Sequence, residues 1–125
     1  MTAARPVALV TGASRRIGAT IARTLHAAGY DLSLHHRRDD DGMDALVAEL
    51  ETARAQSTCV LRAELADAES LPSLIEDTIA RFDRLDALVN NASAFFPTPI
   101  GTTTTQQWDA LFAANARAPF FLSQA

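Results

Sequence analysis

Lysine is missing from this chain altogether: the eleven basic residues among its 125 are all arginine. Without a lysine amine these residues cannot build a Walker-type phosphate loop, a Schiff base or a lysine-assisted acid. Cysteine is nearly missing as well. A single Cys59 permits no intramolecular disulfide and fits a reducing, cytoplasmic setting. Within its apolar run it reads either as a small hydrophobe, the commoner use, or as a reactive thiol. No apolar run approaches the ~20 residues that a membrane-spanning helix needs. Arg5 is followed only by a short apolar run ending at Thr11-Gly12, so neither a membrane span nor a secretory leader is expected. Positive charge is also in deficit. A formal net charge of -4 argues against a nucleic-acid partner or a basic membrane-binding surface.

What is present is a hydrophobic content of 48%, enough for one globular domain, over residues 1–125, with a real core. Its pattern alternates between two periods. Strand-like apolar segments occur at Val7 to Val10, Leu32 to His36, Thr58 to Leu61 and Leu85 to Val89. Between them run helical stripes: Ile17, Ile21, Leu25 and Ala28; then Met43, Leu46, Val47 and Leu50; then Leu71, Leu74, Ile75, Ile79 and Phe82. Asp41 and Asp67 are candidate N-caps for the second and third helices, and Gly29 a C-terminal stop for the first. A fourth helix is expected after the Thr-rich loop, where Thr104 and Gln107 have capping-box spacing. Strands alternating with helices predict an α/β fold, a Rossmann-type parallel sheet of strand order 3-2-1-4 with helices on both faces. The pattern stops within the fourth helix, so the domain is expected to be incomplete at its C-terminus.

In open parallel sheets a ligand sits beyond the carboxyl ends of the strands, where strand order reverses. Four segments therefore matter. After the first strand, Gly12, Arg15, Arg16, Ile17 and Gly18 form a glycine-bounded turn opening a helix, a seat for phosphate or only a turn. After the second, His36, Arg37 and Arg38 stand about 20 residues beyond the glycines, where NAD-selecting folds place a carboxylate. Guanidinium groups there suit a 2′-phosphate and favour NADPH, unless the cluster is a solvated one balanced by Asp39, Asp40 and Asp41. The adjacent His35 and His36 lack the further ligands of a metal site. After the third strand, Glu64 can accept from an adenine amino group while Leu65 covers the base, or it is an ordinary loop acid. After the fourth, Asn91 can brace strand ends, Ala92 permits close approach to a flat cofactor, and Ser93 follows. Phe95 and Phe96 read as core plugs or as an aromatic plate over a planar substrate.

In the fourth helix Trp108, Leu111, Phe112 and Phe120 mark an apolar face that also carries Asn115. Pro119 removes the N–H that the Asn115 carbonyl would use, leaving either a kink with a satisfied amide or a place for a relay water.

Taken together, these residues resemble the short-chain dehydrogenase/reductase family over the whole chain. The family pattern is Thr-Gly-x-x-x-Gly-x-Gly, then Asn-Asn-Ala-Gly after the fourth strand, then a helix Asn serving a Ser-Tyr-Lys group. Arg16 stands at the middle glycine and Ser93 at the glycine of Asn-Asn-Ala-Gly. With Leu34-His35 before an Arg and Asn-Ala-Ser-x-Phe-x-Pro-Thr-Pro after strand 4, these departures resemble the pteridine reductase branch. The resemblance implies NADPH as cofactor and a pterin or folate-like small molecule as substrate. It implies that Arg16 reaches toward pyrophosphate and pterin, Ser93 bonds to cofactor or pterin, and Phe95 stacks the pterin on the nicotinamide. Arg38, with Arg37, would hold the 2′-phosphate, and Asn115 would organise a catalytic relay. It also implies a homo-oligomeric parent whose acid, a Tyr four residues before a Lys, has no counterpart among these residues. Another carbonyl-reducing specificity, or a non-catalytic nucleotide-binding remnant, remains open.

Overall fold

The computed structural model describes residues 4–38 and 41–125. Four short strands, β1 (Val7–Val10), β2 (Asp31–His36), β3 (Thr58–Arg62) and β4 (Ala87–Val89), form one parallel sheet in the order β3-β2-β1-β4. Among the described residues, five α-helices connect or follow them: α1 (Arg16–Ala27), α2 (Asp41–Ala53), α3 (Leu71–Phe82), α4 (Thr105–Phe112) and α5 (Ala118–Gln124). The alternation of strand and helix, the strand order and the layering follow the sequence expectation.

Both faces of the sheet are covered, so β1 is apolar throughout and β2 is buried from Leu32 to His36, with Ser33 and His35 as buried polar residues. One face packs Ala8, Val10, Leu32 and Leu34 against Ala19 and Ala22 of α1 and Met43, Leu46 and Leu50 of α2. The other packs Leu9 and Leu61 against Leu71 and Leu74 of α3 and Ala118 and Leu122 of α5. Each fully buried leucine contributes roughly 1.5–3 kcal/mol of transfer free energy.

Several local details differ from the pattern-based expectation. The buried face of α1 is Gly18, Ala19, Ala22 and His26, rotated from the expected stripe, so that Ile17 is 70% exposed. Small residues there let the helix lie close on the sheet. Asp67 caps a 3-10 turn (Ala68–Ser70) that leads into α3, accepting from the Glu69 N–H at 3.1 Å. The cap expected of Asp41, like the acids Asp39 and Asp40, concerns side chains outside the described residues. β4 is shorter than expected, and just before it Asp86 meets Val7 twice: its N–H donates to the Val7 carbonyl and its carboxylate, in place of its own carbonyl, accepts from the Val7 N–H, both at 2.8 Å. The fourth helix opens with the expected Thr104/Gln107 capping box but is not continuous. A π turn (Ala113–Arg117) separates α4 from α5, with the Ala118 N–H donating five residues back to Ala113. That spacing carries the chain past Pro119 without calling on its missing N–H. The expected apolar face is not the buried one: Trp108, Phe112 and Phe120 are exposed, and Ala113, Ala118 and Leu122 pack inward.

Strand register places the four post-strand segments at one end of the sheet, since Val10 lies beside both Leu34 and Val89, and His36 beside Arg62. The opposite end is closed by side chains. The Glu51 carboxylate accepts from Thr58 Oγ1 at 2.7 Å and from the N–H groups of Gln56, Ser57 and Thr58, pinning the turn into β3. The Thr58 hydroxyl bond, then the backbone bonds, outweigh the cost of burial and hold its pKa below the usual carboxylate range. The unfolded chain therefore takes up this proton first on acidification. Glu51→Gln is expected to lower stability by about 1–2 kcal/mol at pH 7. The difference should shrink as pH falls through the lowered Glu51 value, read as urea midpoints of both proteins at pH 7 and pH 3.

Candidate functional site: a phosphate seat at the strand ends

The seat is built around two glycines that admit no side chain. At Gly18 a Cβ would lie 2.1 Å from the Gly12 carbonyl oxygen and 2.6 Å from Asn91 Nδ2. At Gly12, where φ is +62°, it would lie 2.9 Å from the Ala92 Cα. The turn after β1, the start of α1 and the segment after β4 thus meet at backbone contact distance. Asn91 fastens them, its Nδ2 donating to the carbonyls of Thr11 and Gly12 at 3.2 and 3.0 Å. The buried Thr11 hydroxyl accepts from the Asn91 and Ala92 N–H groups at 3.1 and 3.0 Å.

The N–H groups of the turn divide into two sets. Those of Thr11, Gly12 and Ala13 are consumed, going to Val89 O, His35 Nδ1 and His35 O. Those of the first turn of α1, Arg16, Ile17 and Gly18, have no intrahelical partner by geometry and point outward with the positive end of the helix dipole. Arg15, Arg16 and Ile17 are exposed beside them. Arg16 takes φ +53°, in the left-handed region where a side chain is disfavoured. Neither Arg15, Arg16 nor Arg38 forms an ion pair with another described residue.

Arg37 and Arg38 are exposed after β2, and Arg37 Nε lies 3.6 Å from Glu64 Oε2, joining the second and third segments. Glu64 also accepts from the Ala66 N–H at 3.1 Å, so the acid expected to meet a base amino group already has two partners. Leu65 is a core residue, 6% exposed, packed among the side chains against α3. His36 is equally buried, and its Nδ1 has no hydrogen-bond partner among the described residues.

In the fourth segment Ser93 is exposed and Phe95 is 88% exposed, which removes the core-plug possibility for Phe95. Asn115 grips this loop with both ends of its amide: Oδ1 accepts from the Ala94 N–H at 2.9 Å and Nδ2 donates to the Ala94 carbonyl at 2.8 Å. Of the two possibilities at Asn115 the structure has the satisfied amide, both of whose partners are supplied by the loop backbone. Cys59 is half-buried, and burial pushes its thiol pKa up, as for a packing residue rather than a nucleophile. Among the described residues no three His, Cys, Asp or Glu side chains converge on a metal position, and no helix is long and apolar enough to cross a membrane.

Sequence reasoning missed two residues that shape the seat. Thr11 could have been found as a hydroxyl at the end of an otherwise apolar strand. His35 could have been found as a polar residue in a central strand opposite a glycine turn.

The short chain dehydrogenase family model matches residues 6–125, and the chain belongs to that family. It is 34% identical to pteridine reductase 1 of Leishmania tarentolae, with 96% of this chain and 52% of that protein covered. It is 33% identical to the 3-oxoacyl-(acyl-carrier-protein) reductase of Staphylococcus aureus, covering 90% and 46%. With the corresponding reductase of a Synechocystis species it shares 34% over 95% and 48%. The chain thus spans about half the length of the curated relatives it matches.

The left-handed backbone at Arg16 yields a prediction. Glycine removes a conformational cost of about 1 kcal/mol there, partly offset by its freer unfolded state. Arg16→Gly is therefore expected to melt at the same temperature or higher than the parent, while losing affinity for a pyrophosphate-bearing nucleotide. A clear drop in melting temperature would instead assign the Arg16 side chain to holding the fold.

Proposed function

We propose that this chain is the NADPH-binding half of a short-chain reductase whose substrate is a pterin or a folate-like ring. The observation that supports the dinucleotide part is the close backbone approach of Gly12, Gly18 and Ala92, which sets the start of α1 and its outward N–H groups at the point where strand order reverses. The residues fit the group. The N–H groups at the start of α1, with Arg15 and Arg16 beside them, suit a pyrophosphate, and Arg38 suits a 2′-phosphate through a forked pair of charge-assisted bonds. Because Arg37 leans on Glu64, Arg38 is the better candidate for that phosphate.

When bound, such a cofactor supplies hydride; the protein's task is to fix distance and orientation. Phe95 offers an exposed ring to a planar substrate, and Ser93 a hydroxyl two residues away. Asn115, by holding Ala94 from both sides, sets where these two stand. A general acid must also deliver a proton. The only tyrosine is Tyr30, which is not followed by a lysine four residues on, and the chain has no lysine. Binding without turnover is therefore the behaviour proposed for these residues alone.

Support for the pterin class comes from Arg16 and Ser93 at two positions that are glycine in the wider family, and from the exposed Phe95. A second reading is favoured by the comparisons: 34% identity to a pteridine reductase against 33% to a 3-oxoacyl reductase does not separate the substrates. A carbonyl reductase acting on an acyl thioester is the alternative.

Two measurements test these assignments. Arg38→Asp should weaken NADP+ binding by tenfold or more while changing NAD+ binding little; equal losses would reject the 2′-phosphate role. In a full-length protein carrying this chain, NADPH oxidation should respond to dihydrobiopterin, and Phe95→Ala should raise its KM without altering NADPH affinity. Turnover of a 3-oxoacyl thioester with none of the pterin would establish the alternative.

A further inference from the structure

His35 lies in β2, one of the two central strands, and is 1% exposed, with both ring nitrogens engaged by backbone groups. Its Nδ1 accepts the Gly12 N–H at 3.1 Å, and its Nε2 lies 2.9 Å from the Ala63 carbonyl. An amide N–H can only donate and a carbonyl can only accept. The ring is therefore neutral with its proton on Nε2. Burial acts in the same direction, pushing its pKa down. The His35 carbonyl also accepts the Ala13 N–H at 2.9 Å.

One residue of β2 thus takes up two successive N–H groups of the turn after β1. Through Ala63 it also holds the segment after β3 that leads to Glu64. Without an acceptor at Nδ1, the part-buried Gly12 N–H would lose its partner within the protein. Rotating the peptide to find another would press Gly12 toward Ala92 and Gly18, whose backbones already lie at contact distance.

We infer that His35 is a positioning residue for the cofactor phosphate: its Nδ1 retains the Gly12 N–H within the protein, so that the seat is formed by the N–H groups at the start of α1. The inference rests on the dinucleotide reading above and adds which bond shapes the seat.

The two ring bonds can be separated by substitution. In His35→Asn the amide oxygen lies about where Nδ1 does and can accept from Gly12, whereas the Ala63 bond is lost. In His35→Gln the amide nitrogen reaches toward Ala63, whereas the Gly12 acceptor is lost. NADP+ is titrated into the wild-type chain and both variants by calorimetry, below each protein's melting temperature. His35→Asn is expected to bind within about threefold of wild type, and His35→Gln tenfold or more weaker. Variants that weaken together in step with their stability, or that both bind like wild type, overturn the inference. A second measurement needs no variant. In amide NMR of the wild-type chain, NADP+ should shift Ile17 and Gly18 while leaving the slow exchange of the Gly12 N–H unchanged. Loss of Gly12 protection on binding would also overturn it. Failure of the wild-type chain to bind NADP+ at all rejects the dinucleotide reading and this inference together. Binding with no difference between the Asn and Gln variants rejects this inference alone.

Discussion

Everything at the ligand end of this molecule depends on the missing side chain of Gly18. Because no Cβ stands there, α1 can begin within contact distance of the Gly12 carbonyl and of Asn91. That approach lets one asparagine amide reach two carbonyls of the turn, and lets the Thr11 hydroxyl collect two N–H groups from the segment after β4. These bonds close the switch point between β1 and β4 with backbone groups that would otherwise be orphaned at strand ends. Even a methyl group at position 18 would need to displace main-chain atoms, which packed interiors resist. The requirement is thus steric first and chemical second: the glycine makes the weld, and the weld leaves the helix N–H groups facing out.

The two ends of the sheet are organised on opposite lines. At the amino ends of β2 and β3, charged groups turn inward onto backbone and side-chain partners, though the buried Arg54 Nε has none among the described residues. Glu51 gathers the turn before β3, Arg54 bonds to the carbonyls of His26 and Tyr30 and to Asp31, and the buried His26 ring meets Ser57 Oγ at 2.7 Å. At the carboxyl ends, charged and apolar groups face outward: Arg15, Arg16, Ile17, Arg37, Arg38 and Phe95. Exposed guanidinium groups and an exposed phenylalanine do little for folding, since surface charge pairs contribute ~0–1 kcal/mol and an exposed ring buries nothing. On the function proposed above, stability and recognition are therefore carried by different ends of the same four strands.

The architecture was legible in the sequence because it rests on periodicity: apolar runs too short for helices, stripes at helical spacing, and glycine at the one turn that demands it. The strand order followed from right-handed crossovers. What was not legible depends on how elements rotate and on long-range partners. The apolar stripe of α1 suggested that Ile17 is buried, but small residues gave the closer fit to the sheet, and Ile17 turned outward. Leu65 sits beside Glu64 in sequence, but the turn after β3 sends it into the core cluster with Leu71 and Leu74. Asn115 was recognisable as an oddity on an apolar stripe, and Pro119 as its cause. Its partner is Ala94, 21 residues earlier, and no local pattern encodes that pairing. The roles of Thr11 and His35 were not assigned for the same reason, since each bonds to a segment distant in the chain.

The rim of the seat is graded in rigidity, and the gradient runs along a single loop. At Asn91 and Ala92 the backbone is held by several bonds and wedged against Gly12. Two residues on, Ala94 is held only by the exposed Asn115 amide, two bonds of about 0.5–1.5 kcal/mol each, on a helix already interrupted by a π turn. Phe95 beyond it touches little. A ligand group seated near Gly12 thus meets a surface that cannot adjust, whereas one near Phe95 meets a side chain free to reorient. A nucleotide common to many reactions needs the first; a substrate that differs from protein to protein needs the second. Relatives named for a pteridine and for an acyl-carrier-bound 3-oxoacyl group share about a third of their residues with this chain. On the function proposed above, a fixed nucleotide seat joined to a loosely held rim is the arrangement by which such a family can vary its substrate without rebuilding its core.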